Sequence, residues 1–152
     1  MKIRLYKEAD LPELVRLFHD TVHLVNIRHY SPEQVNVWAP EDIDYTAWHR
    51  SLSIHYTLVA LDGDRVVGFG DIADNGYLDR LYVHHAYQRQ GIGSALCDKL
   101  EGAVAGQIIY THASITAAPF FRKRGYKVMK QQTVVRNGVE LVNYVMELQR
   151  TL

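Results

Sequence analysis

Residues 88 to 94 read Gln-Arg-Gln-Gly-Ile-Gly-Ser and stand between a strand-like run ending at Val83 and a helix-like run beginning near Gly93. The first turn of a helix has backbone N–H groups without partners and about half a positive charge from the helix dipole. Both favour an anion. Glycine keeps side chains out of the way so that a phosphate can approach those amides. Arg89 adds a fork-shaped cationic donor and Gln88 adds neutral ones. The chemistry this spacing offers is the holding of a diphosphate.

Two familiar phosphate loops do not match. The chain contains no Gly-x-x-x-x-Gly-Lys-Ser/Thr. The dinucleotide fingerprint is half present at Gly91-x-Gly93, but Leu96 occupies the place of its third small residue, and the turn does not follow Val83 at once. A longer form remains, strand–loop–Gln88-x-x-Gly91-x-Gly93–helix. Beside it stands the plain reading of a glycine-rich connection between two elements.

Other residues could do chemistry and are weaker signals. His19 and His23 are four apart on a helical pattern, a spacing that could hold zinc, yet no third ligand stands nearby and no metal site is expected. Cys97 is the single cysteine, which excludes an intrachain disulfide and a cysteine-based metal cluster; among apolar neighbours it is expected to pack.

Several elements must position the glycine corner. Residues 3 to 6 alternate as a first strand, and Asp10-Leu11-Pro12-Glu13 offers Asp10 as a helix cap, a proline in the first turn and an acid at the capping-box position before Leu11, Leu14, Val15, Phe18, Val22 and Val25 at helical spacing. Ser31-Pro32-Glu33-Gln34 starts a short helix through Val35 and Trp38, closed by Pro40, and residues 45 to 52 predict another. The period then changes. Strands are predicted over 57–61, 65–72 and 77–83, with turns at Asp62-Gly63-Asp64 and Asn75-Gly76. A helix after Gly93 presents Ile92, Ala95, Leu96, Leu100, Ala103 and Val104 on one face, and a strand follows over 107–113. A helix near 117–124 ends at Gly125, and Asn137-Gly138 joins two last strands, 126–135 and 139–148.

This order predicts an α/β (α+β) fold, a mixed, mostly antiparallel seven-stranded sheet with helices on both faces. Only the passage from 77 to 113 demands a parallel neighbour. At 152 residues the chain suits one domain, 1–152, with one substantial core. Lys plus Arg and Asp plus Glu are 17 each, so no global charge draws nucleic acid or an acidic membrane. No window nears the roughly 20 apolar residues that span a bilayer, and a cytoplasmic protein is expected.

Leu81-Tyr82-Val83, Tyr87-Gln88-Arg89-Gln90-Gly91-Ile92-Gly93 and Leu96 resemble the acyl-CoA-binding motif of the GNAT N-acetyltransferase superfamily. Ser114-x-x-Ala117-x-Pro119-Phe120-Phe121-x-x-x-Gly125-Tyr126 resembles its second motif, and the order of elements agrees over essentially the whole chain. The resemblance implies that Leu81, Tyr82 and Val83 pair with the pantetheine arm of acetyl-CoA like an added strand. It implies that amides of Gln88, Arg89, Gln90, Gly91, Ile92, Gly93 and Ser94 hold the diphosphate, and that Ser114, Ala117, Phe120 and Phe121 line the arm's other side. Three departures stand out: His85 where proline is common, Arg89 where glycine is common, and Phe121 where many members place a proton-donating tyrosine.

The implied reaction is direct transfer of acetyl to an amine in a ternary complex. An amine with a pKa near 10.4 is protonated at neutral pH and needs a base. Asp79 is the first candidate; strict alternation would place it with Tyr77, Leu81 and Val83 on one strand face. Tyr77 and His112 are further catalytic candidates, each also readable as packing. His23, Arg28, Tyr30 and Trp38 form the expected acceptor wall, since in this superfamily the first helices enclose the acceptor. A homodimer through the last strands is expected from the resemblance. The rival reading, supported by Phe121, is a non-catalytic acyl-CoA-binding module.

Overall fold

The computed structural model describes residues 1–151. Its strands form one seven-stranded sheet in the order β1-β2-β3-β4-β5-β7-β6. These are β1 (Lys2–Leu5), β2 (Tyr56–Asp62), β3 (Arg65–Ile72), β4 (Tyr77–Val83), β5 (Ile108–Ser114), β6 (Lys127–Arg136) and β7 (Val139–Gln149). Only β4 and β5 run parallel. Helices α1 (Leu11–Leu24), α2 (Pro32–Trp38) and α3 (Tyr45–Ile54) precede β2, and α4 (Ile92–Gly102) and α5 (Ala118–Lys123) flank β5.

The alternating strands bury one set of side chains on each face. Leu14, Val15, Phe18 and Val22 of α1 close over Val59 and Phe69, while Ile92, Leu96, Cys97 and Leu100 of α4 close over Val67, Ile72 and Leu78. Burial of each such side chain contributes roughly 1.5–3 kcal/mol. Helix α4 comes especially near the sheet, because a Cβ on Gly70 would lie 2.9 Å from Leu100 Cδ1 and 2.9 Å from the Arg80 carbonyl.

Local chemistry sets the ends. Ser31 accepts the Gln34 amide and Gln34 returns the bond to the Ser31 amide, a capping box that starts α2. Asn137 (φ 48°) and Gly138 (φ 78°) make the tight turn between β6 and β7. Two expectations need correction. Asp10 stands before α1 without capping it; its carboxylate is taken by Arg4 at 2.8 and 2.9 Å and by the Lys7 amide at 2.8 Å. Helix α4 stops at Gly102, so Ala103 and Val104 lie outside it, and Arg150 binds the Val104 carbonyl from β7's far end.

A third correction decides the site. In the β3–β4 register Asp71 faces Arg80 and Ile72 faces Leu78, so Asp79 is an extra residue at a β-bulge. The bulge breaks the period of two. Leu78, Leu81 and Val83 all belong to the α4 side, whereas Tyr82 belongs to the α1 side, and Arg80 lies over Trp48 there. Asp79 therefore parts from Leu81 and Val83, and with Tyr77 it opens into a cavity walled by Phe18, Trp48 and Tyr82.

Candidate active site

Strands β4 and β5 diverge almost as soon as they meet. Their register holds at Tyr77–Tyr110 and Leu78–Thr111 and goes no further. Beyond Asp79 the β5-facing edge of β4 has no strand beside it, and an extended ligand can add its own hydrogen bonds there. Thr111 Oγ1, 2.8 Å from the Leu78 carbonyl, marks the point of divergence.

At the far end of that edge is the glycine corner. Gly91 takes φ 85° at the N-cap of α4, and the first helical bond runs from the Ala95 amide to the Gly91 carbonyl. The amides ahead of Ala95 therefore have no partner within the helix. Arg89 also has positive φ, 61°, and its side chain is exposed. Gln88 turns back, its Nε2 2.6 Å from the Val83 carbonyl, which ties the loop to the strand end. A Cβ on Gly93 would touch the Phe120 ring at 3.4 Å, so the small residue is what keeps this corner open.

Between corner and divergence lies a cleft of about 200 Å³. Leu81, Tyr82, Val83, Gln88 and Gly93 line one side; Ser114, Ala117, Phe120 and Phe121 line the other. Thus nine of the residues expected to contact the cofactor share one cavity. Arg89, Gln90, Gly91, Ile92 and Ser94 form the turn around it, and Ile92 is a core residue of the α4 side. Phe121 is almost wholly buried, edge-on to Phe120 at 5.2 Å and to Tyr126 at 5.0 Å, and has no hydrogen to give a thiolate.

A second cavity of about 280 Å³ adjoins the first. Trp38, Asp79, Tyr82, His112 and Ser114 line both, so Asp79 stands where the two meet. Burial pushes the Asp79 carboxyl above its usual range, and Asp71 adds to that, while Arg80, His55 and His112 pull the other way. Arg80 Nη1 is 2.6 Å from Asp71 and 3.4 Å from Asp79. His55 Nδ1 is 2.7 Å from Asp71 and 3.9 Å from Asp79, and the hydrogen bond to Asp71 holds the imidazole above its ordinary value. The ligand atoms of His55, Asp71 and Asp79 lie within 4.8 Å of one another, a spacing a metal ion could use, but Arg80 already supplies the positive charge there.

Tyr77 stacks on Tyr110 at 5.0 Å and lies 5.1 Å from His112. Burial first, then the Asp79 charge, push its phenol up to about 12, so it stays protonated at neutral pH. Of the expected acceptor wall, Trp38 lines both cavities and Tyr30 lines the second. The Tyr30 hydroxyl donates to the Val142 carbonyl at 2.7 Å and accepts from the Ile115 amide at 2.9 Å, and burial raises its pKa. His23 lies elsewhere: its Nε2 bonds the Ala39 carbonyl at 2.8 Å and its ring stacks on His19 at 4.1 Å. Arg28 is exposed in a 3-10 turn and lines neither cavity.

Sequence reasoning missed His55, Asp71 and Arg80 around Asp79, and Phe18, Trp48, Arg136 and Asn143 in the second cavity. Arg80 adjoins Asp79 in sequence, but period-two alternation sends neighbours to opposite faces. Only the bulge brings both to one.

The sequence pattern of the family described as acetyltransferase (GNAT) domain matches residues 26–148. An N-acetyltransferase of Escherichia coli, YafP, is 34% identical over 146 residues, 96% of this chain and 94% of that protein. The crystal structure of a GCN5-related N-acetyltransferase from Rhodopseudomonas palustris superposes with a TM-score of 0.92 at 33% identity, covering 97% of this chain and 94% of that one. PaiA N-acetyltransferase of Thermoplasma acidophilum, in complex with coenzyme A, shares the fold at a TM-score of 0.73 and 20% identity, covering 98% and 99% of the two chains.

Proposed function

The chain belongs to the GNAT acetyltransferase family, and we propose that it moves the acetyl group of acetyl-CoA directly to a primary amine, with Asp79 as the base. The observation that carries this reading is the position of Asp79, where the cleft beside β4's unpaired edge meets the aromatic cavity.

The chain's residues suit the co-substrate. The open corner at Gly93, the unpartnered first-turn amides of α4 and the cationic Arg89 fit a diphosphate, and the edge of Leu81 to Val83 fits an extended amide-bearing arm. Acetyl-CoA supplies an activated acyl carbon as a thioester. Asp79 takes the proton that makes an ammonium into a nucleophile. A carboxylate of ordinary pKa, about 3.9, is a poor base toward an amine near 10.4, and burial narrows that gap. Edge amides of β4 donate to the carbonyl oxygen as it gains negative charge. A C–N bond forms, the C–S bond breaks, and the sulfur leaves as thiolate. Phe121 gives it no proton, so solvent at the open cleft does.

Tyr77 acts as a wall of the acceptor cavity, held by Tyr110. Two copies of the chain meet along β6, an edge strand with Val128, Met129 and Val135 exposed. Sedimentation velocity tests that contact, and a monomer at micromolar concentration would sink it.

The test of activity is thiol release from acetyl-CoA in the presence of an amine panel. Turnover on at least one amine is expected, with Asp79→Asn lowering kcat by roughly 10²–10⁴ while coenzyme affinity changes less than twofold. Coenzyme binding with no turnover on any amine would overturn the reading.

A further inference from the structure

The second cavity reports on the shape and charge of what enters it. Its walls carry the rings of Phe18, Trp38, Trp48, Tyr77 and Tyr82. Two polar groups among them lack partners. Arg80 is satisfied, by Asp71, Asp79 and Ser51 Oγ at 3.1 Å, with its plane 4.9 Å from the Trp48 ring. Arg80 is therefore already committed to the carboxylates beside it. Arg136 lines the same cavity at its exposed rim and, among the described residues, makes no ion pair and no side-chain hydrogen bond. Asn143 Oδ1, also on this wall, is buried and accepts no hydrogen bond.

Register fixes how these groups are spaced. Val134 and Arg136 of β6 and Leu141 and Asn143 of β7 are i, i+2 pairs, and all four line the cavity. Arg136 is level with Val139, four residues from Asn143 along β7, a run of roughly 13 Å. Asn143 pairs with Ser114, which lines both cavities, so Asn143 marks the end next to the first cavity and Arg136 the opposite end. An orphaned acceptor on this wall asks for an N–H donor. An unpaired guanidinium at the other end asks for an anion, and carboxylate matches its fork. Rings between them ask for an apolar body.

We propose that the acetyl acceptor is a small amino acid of a particular layout, with an amine at one end, a bulky apolar body, and a carboxylate at the other end held by Arg136. The inference rests on the transfer reading above and names its substrate class.

The chain's two tryptophans, Trp38 and Trp48, both line this cavity, so their fluorescence reports occupancy whether or not turnover follows. The probe is trans-4-(aminomethyl)cyclohexanecarboxylate, which does not absorb at the excitation wavelength, compared with its carboxamide. The carboxylate is expected to bind wild type at least tenfold tighter. Arg136→Gln should collapse that ratio toward one, and Arg136→Lys should restore part of it. Equal affinities in wild type, no fluorescence change with either probe, or a glutamine variant that weakens both equally would each overturn the proposal. Thiol release with the same pair separates the two readings. Acetylation without preference for the carboxylate sinks the substrate class alone; Arg136-dependent carboxylate binding with no amine ever acetylated sinks the transfer reading and leaves the ligand class standing.

Discussion

The Arg80 guanidinium stands 3.4 Å from the Asp79 carboxylate while fully buried Asp71 grips it at 2.6 Å from behind. The cation thus opposes the burial that raises Asp79. Replacing Arg80 with Met removes the counter-charge and drives Asp79 higher still. The proposed base works deprotonated, so the acid limb of the kcat/KM profile should move to higher pH. A pH–rate profile unchanged in Arg80→Met would contradict this.

His55 gives a stability prediction with a defined sign. Its pKa is raised in the folded state, chiefly by the hydrogen bond to Asp71. Such a group adds stability fully below its unfolded value, about 6.5, and loses it as pH rises through the folded value. The melting-temperature gap between wild type and His55→Gln should be widest near pH 5.5 and shrink toward pH 9. Calorimetric scans across that range would show it, and a gap that widens with pH would refute it.

Gly70 is a packing prediction. Its missing Cβ lets α4 approach β3, and alanine would meet Leu100 Cδ1 and the Arg80 carbonyl at 2.9 Å each. Overpacking costs about 1–3 kcal/mol. For a chain of this size that is a fall in Tm of roughly 2–12 °C. An unchanged thermal scan for Gly70→Ala would mean that the helix shifts at no cost.

Tyr77 separates a wall from an acid. Its ring stacks on Tyr110 and its phenol is held protonated. If only the ring matters, Tyr77→Phe keeps kcat within about threefold and Tyr77→Ala raises KM for the amine at least tenfold. A large kcat loss in the phenylalanine variant would give the hydroxyl a proton-transfer role instead.

How much of this could be read from the sequence depends on distance along the chain. The Asn137-Gly138 turn and the Gly91 corner announce themselves, because positive φ at these positions selects glycine and asparagine locally. All seven strands follow from short β-rich or alternating runs bounded by turn signals, and the nine cleft residues follow from two short motifs. The neighbours of Asp79 do not. His55 comes from the end of α3, Asp71 from β3 and Arg136 from β6, so only the folded sheet brings them to one place. The bulge at Asp79 has no local signature such as glycine, and a strict alternation misplaces the proposed base. Asp10 failed as a cap for a similar reason, since Arg4 from the first strand claimed its oxygens.

Strands β1 to β4 and the trio β5, β7 and β6 are joined across the sheet by two residue pairs. That is a short seam in an otherwise continuous fabric, and the core beneath it, where Ile72 and Leu78 cluster with Ile109 and Met146, does most of the joining. A ligand lying along the open part of the seam would stitch it.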